Sequence, residues 1–184
     1  MNRRRAVALL AALPGCAAAD ALGARGGDAR APIFDAPWVW SDEDGVPTTF
    51  ARWQGSTIVT TGFFASCTVR CPMTIAKLRE MDEALRAHGR SAQFVLVTID
   101  PESDTVDRLH RLKASRKLPP SWHLLRGSRE ATRGFGRWLR LNVARDSGHI
   151  DHDVRIAVLD GNGLLLRSFA GWSFADDEFL STSH

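Results

Sequence analysis

Two hydrophobic periods alternate along this chain. Residues 56–64 (STIVTTGFF) and 94–99 (FVLVTI) are apolar and β-branched runs almost without charge, as in strands buried on both faces. Between them, residues 72–88 carry a helical period. Ile75, Leu78, Met81 and Leu85 recur on one face, Lys77, Arg79, Glu80 and Glu83 fall mostly elsewhere, and Gly89 ends the run. Pro72 suits a first helical turn, where its missing N–H is not needed. Residues 104–117 predict a second helix, with Thr105 near its start and Leu109 and Leu112 on its apolar side. A third helix is predicted at 128–139, after a short strand at 122–125 (WHLL). Residues 155–159 (RIAVL), the turn Asp160-Gly161-Asn162-Gly163 and residues 164–169 predict a hairpin. Residues 38–40 and 46–50 read as two short strands around an acidic turn, SDEDG, and residues 176–180 as the start of a last helix.

This order predicts an α/β domain, a central mixed sheet with a parallel core, antiparallel edge strands, flanking helices and an N-terminal β-hairpin. Cys67 and Cys71 stand where the first central strand meets its helix, which fits a thioredoxin-like fold.

The chain has three cysteines and a net charge of +3, and both numbers change meaning at the N-terminus. Arg3, Arg4 and Arg5 form a positive n-region, residues 6–13 (AVALLAAL) a short apolar core, and residues 14–19 (PGCAAA) a small-residue cleavage zone, so residues 1–19 predict an export signal. Eight apolar residues are too few to span a bilayer as a helix. Leu13-Pro14-Gly15-Cys16 resembles a bacterial lipobox, which would lipidate Cys16 and tether the protein to a membrane. Cleavage after Ala19 or Ala21 is the rival route, and a twin-arginine signal a third. Either main route leads out of a bacterial cytoplasm to the periplasm. Without the three arginines the charge is near zero, which removes the case for a nucleic-acid partner. Residues 20–31 are rich in glycine and alanine and read as a flexible tether, leaving 32–184 as one domain.

With Cys16 in the leader, Cys67 and Cys71 are the only cysteines of the mature domain. In an oxidising compartment such a pair is either a redox couple or a site kept reduced for a metal. A structural disulfide closing so short a loop would constrain little chain entropy. If the loop turns as Cys71 enters the helix, both sulfurs come within reach of one ion, and the helix N-terminus favours thiolate. Two thiolates are the soft ligands that Cu(I) prefers, but they leave the coordination shell unfilled. His149 and His152, in the segment SGHIDHDV before the RIAVL strand, are candidate third donors if that loop swings over the cysteine edge.

Over residues 33–180 the chain resembles the Sco/SenC family of copper-binding, thioredoxin-like proteins that serve cytochrome c oxidase. Four motifs carry the resemblance: GFFASCTVRCPMT, VLVTIDPESDT, SWHLLRG and IDHDVRIAVLDGNG. Thr68 stands where the family frequently has proline, and Val106 where Asp-Thr-Pro is usual. The resemblance implies that Cys67, Cys71 and His152 bind one copper, as Cu(I) or Cu(II). It also implies delivery to a copper-accepting partner, such as the cytochrome c oxidase subunit that carries the CuA site.

Two function classes remain open. A metallochaperone would use all three residues. A thiol-disulfide oxidoreductase would use Cys67 as attacking thiolate and Cys71 as resolving thiol, with no need of a remote imidazole. A peroxidatic reading finds little support in the apolar approach FFAS. Among neighbouring residues, His149 is read as an exposed neighbour, Met73 as helix packing, and Asp100 and Asp104 as turn and helix-capping residues. Trp38, Trp40, Trp122 and Trp138 are expected to pack in the core or at its edge, and His88, His110 and His123 carry no motif.

Overall fold

The computed structural model describes residues 30–146 and 149–181. The predicted export signal and all of the tether except Arg30 and Ala31 lie outside the described residues. The elements are β1 (Trp40–Ser41), β2 (Pro47–Thr48), β3 (Ile58–Phe63), α1 (Arg70–Ala87), β4 (Gln93–Thr98), α2 (Val106–Ser115) and β5 (Trp122–Gly127). They continue with α3 (Arg129–Leu139), β6 (Val143–Asp146), β7 (His149–His152), β8 (Arg155–Leu159), β9 (Leu165–Ala170) and α4 (Asp176–Leu180). A seven-stranded sheet runs in the order β2-β1-β5-β4-β3-β8-β9. The β3–β4 and β4–β5 pairs are parallel, and the others are antiparallel. This is the expected thioredoxin-like arrangement, with the N-terminal hairpin β1–β2 on the edge of β5.

Strand alternation divides the core into two layers. Val59, Phe94, Leu96, Leu124 and Ile156 face α1, α2 and α4 through Leu78, Met81, Leu85, Leu109 and Phe179. Ile58, Val95, Val97, Leu125 and Ala157 face α3 and the N-terminal segment through Phe135, Leu139, Trp40 and Phe50. Both layers cover β3 and β4, which is why those strands read as unbroken apolar runs. Burying each such side chain stabilises the fold by about 1.5–3 kcal/mol. Trp40 and Trp122 are core residues, and Trp38 and Trp138 pack at its edge, as expected.

Several elements differ from expectation. Helix α1 begins at Arg70, two residues before Pro72, so Cys71 already lies in its first turn. Lys77, expected on the solvent side, is buried because its ammonium reaches Glu80, the Phe174 carbonyl and the Phe174 ring. The acidic turn is no solvated loop. Asp42 accepts the N–H groups of Asp44 and Val46, and buried Glu43 pairs with Lys113 and accepts the edge N–H of Leu124 at 2.8 Å. Thr105 caps α2 by accepting from Arg108 N–H, which leaves Asp104 free for a different role. The segment expected as a loop before β8 forms a separate two-stranded hairpin, β6–β7, with Val143 opposite His152 and Asp146 opposite His149.

Candidate metal centre

The cysteine loop leaves the C-terminal end of β3 and enters α1 without a side-chain N-cap from Val69. A cysteine sulfur takes that place: the N–H of Cys71 donates to Cys67 Sγ at 3.3 Å. Burial works against a Cys67 thiolate, but hydrogen bonds from the amides of Cys71, Val69 and Arg70 outweigh it and lower the Cys67 pKa. Cys71 is the reverse case. Burial, reinforced by the charges of Cys67 and Asp104, pushes its thiol up to about 12, and its S–H donates to the Phe64 carbonyl at 3.4 Å. Both cysteines are free thiols.

Beneath the loop lies Asp104, whose side chain is wholly buried. It accepts the N–H of Ala65 at 2.9 Å and the hydroxyl of Thr98 at 2.5 Å, tying the cysteine loop to the end of β4. Burial raises its pKa. The capping role expected of Asp104 is thereby replaced. The segment VTIDPESDT signals its place in a motif, but its partners are set by tertiary contact.

The hairpin β6–β7 brings His152 to the same corner. His152 is 5% exposed, and its ring meets Phe64 edge-on at 5.7 Å. Its Nδ1 lies 2.6 Å from the Asp153 carbonyl. A carbonyl can only accept, so Nδ1 carries the proton and Nε2 keeps a free lone pair. That Nε2 is buried with no hydrogen-bond partner among the described residues. Burial, with the Arg70 charge, lowers the His152 pKa, so the ring is neutral at pH 7. Arg70, one residue before Cys71, fastens the arm by pairing with Asp151 and donating to the His152 carbonyl at 2.7 Å. Its role carries no signal of its own in the sequence.

A surface cleft of about 540 Å³ joins these parts, with Phe64, Cys67, Arg70, Asp100, His149 and His152 in its lining. His149 is exposed, as expected of a neighbour. Met73, read as helix packing, is 48% exposed, so that expectation is corrected. Cys67 and Cys71 are brought together, and Cys67 and His152 share a cleft. Among the described residues, however, no three His, Cys, Asp or Glu side chains are grouped closely enough to hold one ion. The chemistry available is that of a stabilised thiolate, a protonated thiol and a neutral imidazole with a bare nitrogen. The donor set suits a soft or borderline metal.

The SCO1/SenC family model matches residues 27–180. The SCO2-like protein of Rickettsia felis is 28% identical over 113 residues, 58% of this chain and 54% of that protein, so the match spans about half the length of this curated relative. The fold is similar to that of Arabidopsis thaliana ScoI with copper bound, at TM-score 0.71 and 21% identity, covering 80% of this chain and 94% of that one. It is also similar to BsSco, a member of the Sco family of cytochrome c oxidase assembly proteins in which a disulfide switch has been identified. That match has TM-score 0.69 and 20% identity, covering 82% of this chain and 91% of the other.

Proposed function

The chain belongs to the SCO1/SenC family, and on that premise we propose that it is a copper metallochaperone. It binds one copper through Cys67, Cys71 and His152 and delivers it to a partner, the CuA site of cytochrome c oxidase. The observation that carries this reading is the buried Nε2 of His152, a lone pair without a hydrogen-bond partner among the described residues, in the cleft that Cys67 lines. An unpaired buried nitrogen costs roughly 1–3 kcal/mol, and a ligand bond to cargo offsets that cost. Among the described residues the three donors are not grouped closely enough to hold one ion, so loading requires the β6–β7 arm or the cysteine loop to move. Copper bound to ScoI of Arabidopsis thaliana supports the choice of metal. The leader read in residues 1–19 sends the protein to the periplasm, and lipidation at Cys16 would tether it to a membrane.

The opposed shifts of Cys67 and Cys71 favour a second reading as a thiol-disulfide oxidoreductase. The Cys67 thiolate attacks a partner disulfide, forming a mixed disulfide and releasing one partner thiolate. Cys71 then gives up its proton and attacks the Cys67 sulfur, forming the Cys67–Cys71 disulfide and releasing the second partner thiol.

Anaerobic titration of the reduced protein with Cu(I), then with Cu(II), separates the readings. One copper per chain is expected, lost in Cys67→Ala and Cys71→Ala and weakened in His152→Ala, with His149→Ala unchanged. Tight stoichiometric binding by the double cysteine variant overturns the site. Full binding by His152→Ala, together with catalytic reduction of a partner disulfide, makes the oxidoreductase reading the correct one.

A further inference from the structure

A second concavity, of about 440 Å³, lies between α3 and the segment 99–102 with β6. Helix α3 lines it with Arg129, Thr132, Arg133, Gly136 and Arg137, whose spacings of three and four residues mark one helix face. Arg145 of β6 lines the cleft as well. Two of the four arginines are already engaged. Arg129 pairs with Glu102, and Arg145 pairs with Asp100 at 3.6 Å and donates to the Ile99 carbonyl. The guanidinium groups of Arg133 and Arg137 have no ion pair or hydrogen bond among the described residues.

A solvated basic helix face would explain the free arginines alone, but two further features of the cleft are not explained that way. The hydroxyl of Thr132, a residue only 7% exposed, is buried with no hydrogen-bond partner among the described residues. Gly136 is buried inside the helix, yet a Cβ there would meet nothing within 4 Å. Its φ is not positive, so no backbone conformation demands glycine. The contrast with Gly134 is direct, since a Cβ at Gly134 would lie 2.6 Å from Trp38 Nε1. Glycine within a helix costs about 1 kcal/mol relative to alanine. At Gly136 no packing requirement offsets that cost, and its effect is to keep space open beside a buried hydroxyl and two unpaired guanidinium groups.

We propose that this cleft binds an oxyanion of the phosphate class. Arg133 and Arg137 supply charge and forked N–H donors, Thr132 supplies a hydroxyl donor, and Gly136 leaves room for the group to approach the helix backbone. The phosphate can come from solution or from a phospholipid headgroup. Arg30, the first described residue, adds a guanidinium against the same helix, over the Trp138 ring at 5.6 Å.

The test uses the full chain, titrated calorimetrically with inorganic phosphate and sedimented with vesicles of phosphatidylglycerol or of phosphatidylcholine. Wild type should bind phosphate saturably or prefer the phosphatidylglycerol vesicles; the first result identifies a free anion, the second alone a headgroup. Arg133→Gln/Arg137→Gln should weaken that binding at least about tenfold. Gly136→Ala should weaken it several-fold while raising the melting temperature, a combination that a purely structural glycine does not produce. No saturable phosphate binding together with equal sedimentation with both lipids overturns the site. So does binding that survives the double arginine variant, or a Gly136→Ala variant that binds like wild type.

Discussion

The backbone N–H of Cys71 donates to the sulfur of Cys67 across 3.3 Å, while the thiol of Cys71 points away to the Phe64 carbonyl. Two cysteines four residues apart therefore have opposite electrostatic settings, one at a helix N-terminus among amide donors and one in the core. Near pH 8 the Cys71 thiolate, with a pKa of about 12, is scarcer than that of an ordinary cysteine by roughly a thousandfold. Its greater intrinsic nucleophilicity recovers only part of this, so Cys67, whose pKa is lowered, is expected to react the faster. Iodoacetamide labelling of the reduced protein, followed by peptide mass spectrometry, should modify Cys67 first and with a midpoint below the usual thiol range. Equal labelling rates would contradict the assignment of attacking and resolving sulfurs.

Asp104 makes a second prediction, with two variants of opposite sign. Asp104→Ala orphans the Ala65 N–H and the Thr98 hydroxyl and should destabilise the fold by about 2–5 kcal/mol. Asp104→Asn keeps an acceptor without the charge. Because burial raises the folded-state pKa above the unfolded value, the folded state binds the proton more tightly. Stability from this group is therefore fully present below the unfolded pKa and falls as pH rises through the window up to the raised value. Urea unfolding at about pH 4 and again near pH 7.5 should show Asp104→Asn gaining on wild type as pH rises. A difference that moves the other way would mean the carboxylate is favoured in its site.

Legibility in the sequence followed packing. Strands β3, β4 and β8 and helices α1 to α3 could be read because each is built on apolar residues that one of the two core layers requires. The hairpin β6–β7 could not. All four residues of β6 are exposed, and of β7 only His152 is buried, so neither strand shows the alternation that a sheet on a core imposes. The cysteines and histidines were recognisable from spacing and resemblance. Arg70 and Asp104 were not, because their roles depend on Asp151, the His152 carbonyl, Thr98 and Ala65, which only the fold brings to them. The same limit applies to the acidic turn: nothing local in SDEDG shows that Glu43 reaches the N–H of Leu124.

Gly134 supplies a control for the Gly136 argument. Trp38 packs edge-on against Trp40 and Phe135 at 6.2 and 6.4 Å, with its indole over Gly134. Gly134→Ala gains helix propensity but drives a Cβ into that ring, and the overpacking should prevail by about 1–2 kcal/mol. Thermal unfolding should place Gly134→Ala below wild type and Gly136→Ala above it. Reversal of that order would remove the steric account of both positions.

Arg70 is the residue that couples the two halves of the candidate metal centre. Its backbone N–H helps stabilise the Cys67 thiolate, while its side chain holds the β6–β7 arm through Asp151 and the His152 carbonyl. Arg70→Met keeps the amide and the aliphatic stem and removes only the second function. His152 then loses the clamp that orients its buried ring, and copper affinity should fall by roughly tenfold, the usual effect of losing an outer partner of a ligand. Cys67 keeps its amide donors, so its alkylation rate and the rate of Cys67–Cys71 disulfide exchange should stay near wild type. Arg79→Met, whose guanidinium bonds the Arg116 and Lys117 carbonyls away from the cleft, should leave both properties unchanged. A copper affinity unaltered in Arg70→Met would show that the arm reaches the cysteines without this contact. Parallel loss of thiol reactivity would show that the side chain acts on the cysteine loop itself rather than through His152.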